Sequence, residues 1–204
     1  MSQLLDMLAK HLDGGSVDQL SRSIEAPADQ TRDAIGAILP TLITGLARNA
    51  ESGPGREQLH QALRNDHDGS VLDHLGSLFG GSAGTPPPEV PQRSVQGGSI
   101  LDHILGGRRE RVAAGVSKSS GLSSGQTMRL MMLLAPVVMA ALGRMRKSQE
   151  LSEDQLGTTL ADERHQVQSD GGGLLAKFFD QDGDGDFDMM DIMRFGAGRL
   201  FGRG

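Results

Sequence analysis

Cysteine, tryptophan and tyrosine are absent from the 204 residues, and phenylalanine occurs only six times. Without cysteine there can be no disulfide, no thiolate metal site and no cysteine nucleophile, and the redox compartment is left open. The scarcity of aromatics excludes an aromatic-rich β-sandwich and a binding face built on Tyr and Trp. Ten methionines take over part of the bulky apolar work. Period-two alternation is missing and β-branched residues are sparse, so the fold class expected is all-α. No nucleophile elbow, phosphate loop or dinucleotide fingerprint occurs, and the chain is read as a non-enzyme.

Long apolar runs are also lacking. The longest, 130–142, has thirteen residues, contains Pro136 and lies between Arg129 and Arg144. A membrane span needs about 20 apolar residues, so this run reads as a buried core helix and no membrane span is expected. Acids inside the first apolar stretch and the want of a basic leader predict no signal peptide and a cytoplasmic address.

The formal charge is −6, and six aspartates with no Lys or Arg fall within 180–191. Without that stretch, 20 basic residues face 20 acidic ones. The acidity is therefore local and points to a cation, while the balanced remainder argues against a general nucleic-acid binder.

What the chain does have is helical periodicity. Leu4, Leu5, Leu8 and Leu12 predict a first helix ended by Gly14-Gly15. Ser16 and Gln19 form a capping-box pattern for a second, through Ile24. Pro27 suits the first turn of a long helix carrying Ile35, Ile38, Leu39, Leu42, Ile43 and Leu46. Gly53-Pro54-Gly55 closes that segment, and helices over 56–64 and 70–79 follow. Glycine and proline then dominate to residue 98. Beyond them, helices are expected over 99–105, 108–119, 124–148 and 153–168, the last opened by Ser152 and Gln155. The organisation predicted is a helical block over 1–80, a linker over 81–98, a second block over 99–168, and a small unit over 174–201. A chain so poor in aromatics favours one core shared by both blocks.

The two blocks echo each other. Gln30-Thr31 and Gln126-Thr127 are 96 residues apart, as are Pro40 and Pro136, Leu46 and Leu142, and Arg48 and Arg144. Duplication and chance both account for so few identities. A second echo joins GSVLDHLG at 69–76 to GSILDHILG at 98–106, and local capping chemistry explains most of it. Together with ILPTLITGL at 38–46, these motifs make residues 1–150 resemble the bacterial YidB-like family of unknown function, DUF937. The resemblance implies an all-helical, cytosolic bacterial protein and transfers no catalytic residue.

The acidic stretch has its own register. Counted from Asp180 as position 1, Asp182 is 3, Asp184 is 5, Gly185 is 6, Asp186 is 7, Asp188 is 9 and Asp191 is 12. This is the spacing of an EF-hand loop, whose alternating oxygens wrap a hard cation. Asp180, Asp182, Asp184, Asp188 and Asp191 are the expected side-chain ligands of Ca²⁺, and Asp186 offers its main-chain oxygen. Gly185 permits the sharp turn and Phe187 fills the apolar eighth place. Asp191 stands where the standard hand has Glu, which weakens Ca²⁺ and narrows its advantage over Mg²⁺. The entering helix, about 174–179, is short, so the unit also resembles a dockerin's loop, of which only one is present. The competing reading is a solvated acidic tail. A single hand staples its own fold or pairs with a second chain, so the partner expected is a protein or another copy of this one.

Other candidates have plainer readings. His74 and His103 each follow an Asp at a helix start, with no third ligand at usable spacing, and read as capping or surface residues. His60 and His67 flank a helix end, and the 65–69 stretch reads as a capped turn. Arg108, Arg109 and Arg111 open a helix and carry the alternative function, nucleic-acid association. Methionines 128, 131, 132, 139 and 145 read as core filling along the second long helix.

Overall fold

A computed structural model describes residues 2–80 and 92–171. Its elements are all helical. In chain order they are α1 (Gln3–His11), α2 (Gly14–Ile24), α3 (Ala28–Glu51), α4 (Gly53–Asn65), and a 3₁₀ turn (Ser70–His74) running into α5 (Leu75–Gly80). After residues 81–91 come a 3₁₀ turn (Gln92–Val95), α6 (Gly97–Leu105), a 3₁₀ turn (Gly106–Arg108), α7 (Arg109–Ser120), α8 (Ser124–Ser148) and α9 (Glu153–Gln166), with a closing π turn (Val167–Gly171).

Helix starts follow capping chemistry. Ser123 opens α8 with a reciprocal box, Gln126 N–H donating to its Oγ at 3.2 Å and its own N–H donating to Gln126 Oε1 at 2.9 Å. Ser152 and Gln155 form the same box at α9, as expected. The expected box at Ser16 does not form. Asp13 caps α2 instead, accepting from Ser16 N–H at 2.8 Å, and Ser16 Oγ donates to His11 O at 3.1 Å. A carboxylate three residues upstream outcompetes a hydroxyl for the orphan donors, and that bond holds the Asp13 carboxyl below its ordinary range. Gly14-Gly15 are thereby the first turn of α2 and not a break. Gly53-Pro54-Gly55 likewise starts α4, with Ser52 accepting from Gly55 N–H at 3.1 Å and proline in the first turn.

The core is one continuous apolar cluster running from Leu4 to Val167, drawn from both sides of 81–91. At its centre lie α3 and α8, packed on each other. Helix α3 also meets α4, α7 and α9, and α8 meets α1, α2, α6 and α7. Leu130, Met131, Leu134, Val137, Val138 and Leu142 of α8 are fully buried. Aliphatic and methionine side chains fill this core, with Phe79 as the aromatic contribution. By length and composition α8 could cross a membrane, but 72% of its most apolar window is buried inside the protein.

Each long helix runs through its proline without interruption. A proline leaves the carbonyl four residues earlier without a helical donor. In α3 that residue is Gly36, which is exposed. In α8 it is Met132, and Gly97 of α6 seats against this carbonyl so closely that a Cβ there would lie 1.8 Å from the oxygen. The contact is a Cα–H···O approach that only glycine permits. At its other end α6 rests on α3, where Ile104 lies against Gly45 and Asn49 Nδ2 donates to His103 O at 2.5 Å.

Positions 96 apart share local geometry. Glu25 closes α2 and Gly121 closes α7, both in the left-handed conformation, with φ of 57° and 79°. Thr31 and Thr127 are buried and donate to the carbonyls of Pro27 and Ser123 at 2.9 and 3.0 Å. Gln126 Nε2 reaches Glu25 O at 2.8 Å, and the side-chain amide of Gln30 lies against Gly121.

Candidate functional site

The six aspartates of the proposed loop, Asp180, Asp182, Asp184, Asp186, Asp188 and Asp191, lie outside the described residues. Among the described residues no group of three His, Asp or Glu is placed to hold a metal ion. One described turn nevertheless has the loop's central spacing. Asp66-His67-Asp68-Gly69-Ser70-Val71 matches Asp182-Gly183-Asp184-Gly185-Asp186-Phe187 in both acids, the glycine and the apolar place.

The turn shows how such a spacing closes. Gly69 takes φ 100° and ψ −5°, a conformation that strains any side chain. Asp68 Oδ1 accepts from Ser70 N–H at 3.0 Å. That bond, with the nearby Lys147, holds the Asp68 carboxyl below its usual range. Val71 is buried. The cation here is a side chain: Arg144 Nη2 of α8 donates to Gly69 O at 2.9 Å and pairs with Asp73 Oδ2 at 2.6 Å. Counted in the same register, positions 1, 9 and 12 are Arg64, Leu72 and Leu75. The turn thus lacks three of the oxygens that a hard ion needs, in accord with its reading as a capped turn.

The other candidates are placed as follows. His103 is exposed, and its carbonyl is engaged by Asn49. His60 Nε2 lies 3.3 Å from Leu151 O, joining α4 to the stretch before α9. His67 is buried, and burial lowers the pKa of its imidazole against the opposing pull of Asp66 and Asp68. Arg109 pairs with Asp102 Oδ1 at 2.6 Å, while Val112, Ala113 and Val116 turn the other face of α7 into the core. The methionines behave mainly as core. Met131, Met139 and Met145 are buried, Met128 packs against the cluster, and Met132 is 36% exposed.

The carboxylate that sequence reasoning missed is Glu163. It is 4% exposed on α9 and accepts from Gln3 N–H at 3.0 Å and Leu4 N–H at 3.2 Å, with Ser2 Oγ as a third donor. Those amides are the orphan donors of α1. Ion pairs strengthen the same side of the molecule. Arg56 of α4 reaches Asp154 at 3.3 Å and Glu153 at 3.7 Å in the first turn of α9, and Arg164 pairs with Glu51.

No curated protein and no solved structure matches the chain. A family model described as "Bacterial protein of unknown function (DUF937)" matches residues 6–145, from the first turn of α1 nearly to the end of α8. The chain belongs to the DUF937 family of bacterial proteins.

Proposed function

We propose that this is a non-enzymatic helical scaffold that works in the cytoplasm through a protein partner or a second copy of itself, and that its loop at 180–191 binds one Ca²⁺. The observation that carries the metal reading is the register of that loop: acids at positions 1, 3, 5, 9 and 12, glycine at 6 and an apolar residue at 8. The described turn at 66–71 supports it, since the same acid–x–acid–glycine spacing in this protein closes with glycine in the left-handed region. In this reading Asp180, Asp182, Asp184, Asp188 and Asp191 supply side-chain oxygens and Asp186 its carbonyl. Mg²⁺ competes, because Asp191 reaches less well than Glu. The scaffold arises from duplication of a helical unit, a reading supported by the shared caps at Glu25 and Gly121 and the shared threonine bonds.

Affinity should be modest, with Kd on the order of 10⁻⁵ to 10⁻³ M. Calorimetry on the whole protein, beside an Asp180→Ala plus Asp184→Ala variant, tests this. The expected result is a saturable Ca²⁺ heat in the native chain that the variant loses. Equal heats from both proteins would leave the stretch as a solvated acidic tail.

A further inference from the structure

The 66–80 crossover links α4 to the stretch at 81–91, and one buried ring sits where it leaves α4. His67 is 5% exposed, and its Nδ1 is buried with no hydrogen-bond partner among the described residues. Its N–H donates to Ala62 O at 3.1 Å, so the backbone cannot swing the ring out without breaking the end of α4. Its carbonyl is pressed onto α8 so closely that a Cβ at Gly143 would lie 1.7 Å from the oxygen. Beyond it, Val71, Leu72, Leu75 and Phe79 are buried, and Ser23 Oγ of α2 donates to Phe79 O at 2.6 Å. The crossover is thus a short apolar strap, fastened by these bonds at its ends and by Arg144 of α8 between them, at Gly69 O and Asp73.

We propose that His67 is an acid-sensitive clasp: a proton on its imidazole loosens the 66–80 strap from α8 and α2 while the rest of the helical core holds. A charged ring would carry an N–H at the buried Nδ1 with no acceptor in place, and opening the strap brings water to it. The charged groups that act on the ring are Asp66 and Asp68 on its own stretch, while on α8 Arg144 is engaged by Gly69 O and Asp73 and Lys147 lies near Asp68. The two acids favour the proton, but Asp68 Oδ1 is already engaged by Ser70 N–H. Burial of the ring opposes it and outweighs them.

The direction of the effect follows from the ring's two environments. Its folded pKa lies below the unfolded value of 6.5, so the closed strap is fully favoured above that pH. The advantage is lost as pH falls from there through the folded pKa. One pH unit below 6.5, an accessible imidazole binds enough proton to multiply the opening equilibrium by about tenfold, if the closed ring stays neutral.

Hydrogen exchange read by mass spectrometry on the full chain, at pH 7.5 and 5.5 and corrected for intrinsic rates, tests the clasp. Peptides from 66–80 are expected to open about tenfold more often at pH 5.5, against little change in α8. His67→Gln, neutral at both pH values, should abolish that difference. Should the variant fail to fold, ring resonances of the native protein decide. In the closed protein the His67 ring must still be neutral at pH 5.5, one unit below its unfolded value of 6.5. Equal opening at both pH values, an unchanged response in His67→Gln, or a His67 ring already protonated in the closed protein at pH 5.5 would each overturn the proposal.

Discussion

Gly143→Ala is expected to destabilise the fold by about 3 kcal/mol, although alanine is the better helix former. The added methyl would sit 1.7 Å from His67 O and 2.9 Å from its carbonyl carbon, both backbone atoms. No rotamer change relieves a backbone clash, so either α8 or the 66–80 strap must move. Intrinsic propensity returns only about 1 kcal/mol. Gly97→Ala should behave alike, with its methyl 1.8 Å from Met132 O. Gly36→Ala is the opposite case. It is exposed inside α3 with nothing within 4 Å of the added atom, so it should stabilise by about 0.5–1 kcal/mol. Denaturant melts of the three variants decide the matter. A Gly143→Ala protein as stable as Gly36→Ala would mean that α8 and the strap are not in contact as described.

These glycines mark where reading the sequence stops. The long helix 124–148 was legible to the residue, because serine caps, apolar spacing and a basic last turn agree along it. The starts of α2 and α4 lie earlier than glycine's habit of ending helices predicts, because Asp13 and Ser52, just ahead of the glycines, cap the helices that those glycines open. Nothing local says that Gly97 must meet the carbonyl freed by Pro136, since the two lie on different helices and the pairing is a product of packing. The 69–76 and 98–106 echoes have identical acids and histidines, yet one is a 3₁₀ turn clasped by Arg144 and the other part of a regular helix. Their flanks decide this: Gly69 is left-handed and follows an engaged carboxylate, whereas Gly97 opens α6 directly. The register at 180–191 is a matter of spacing alone, and it lies outside the described residues.

Glu163 is the furthest from being legible, and removing it should have an effect as large as the glycine clashes. In the sequence it is one acid in Asp162-Glu163-Arg164, a typical solvated helix face. In the fold it comes from 160 residues away to cap α1. Its carboxylate answers two backbone amides and Ser2 Oγ, which in turn accepts from Leu5 N–H at 3.1 Å. It also lies at the positive end of that helix, where a negative charge is favoured. Glu163→Ala leaves these donors buried without an acceptor and should cost about 3 kcal/mol. Glu163→Gln keeps an acceptor oxygen but not the charge, and should cost about 1 kcal/mol. The loss should be visible locally, as faster exchange of the amides of residues 3–5 in Glu163→Ala, before global unfolding contributes. Equal small losses in the two variants, with those amides still protected, would show that α1 is held by Leu4 and Leu8 in the core and not by its cap.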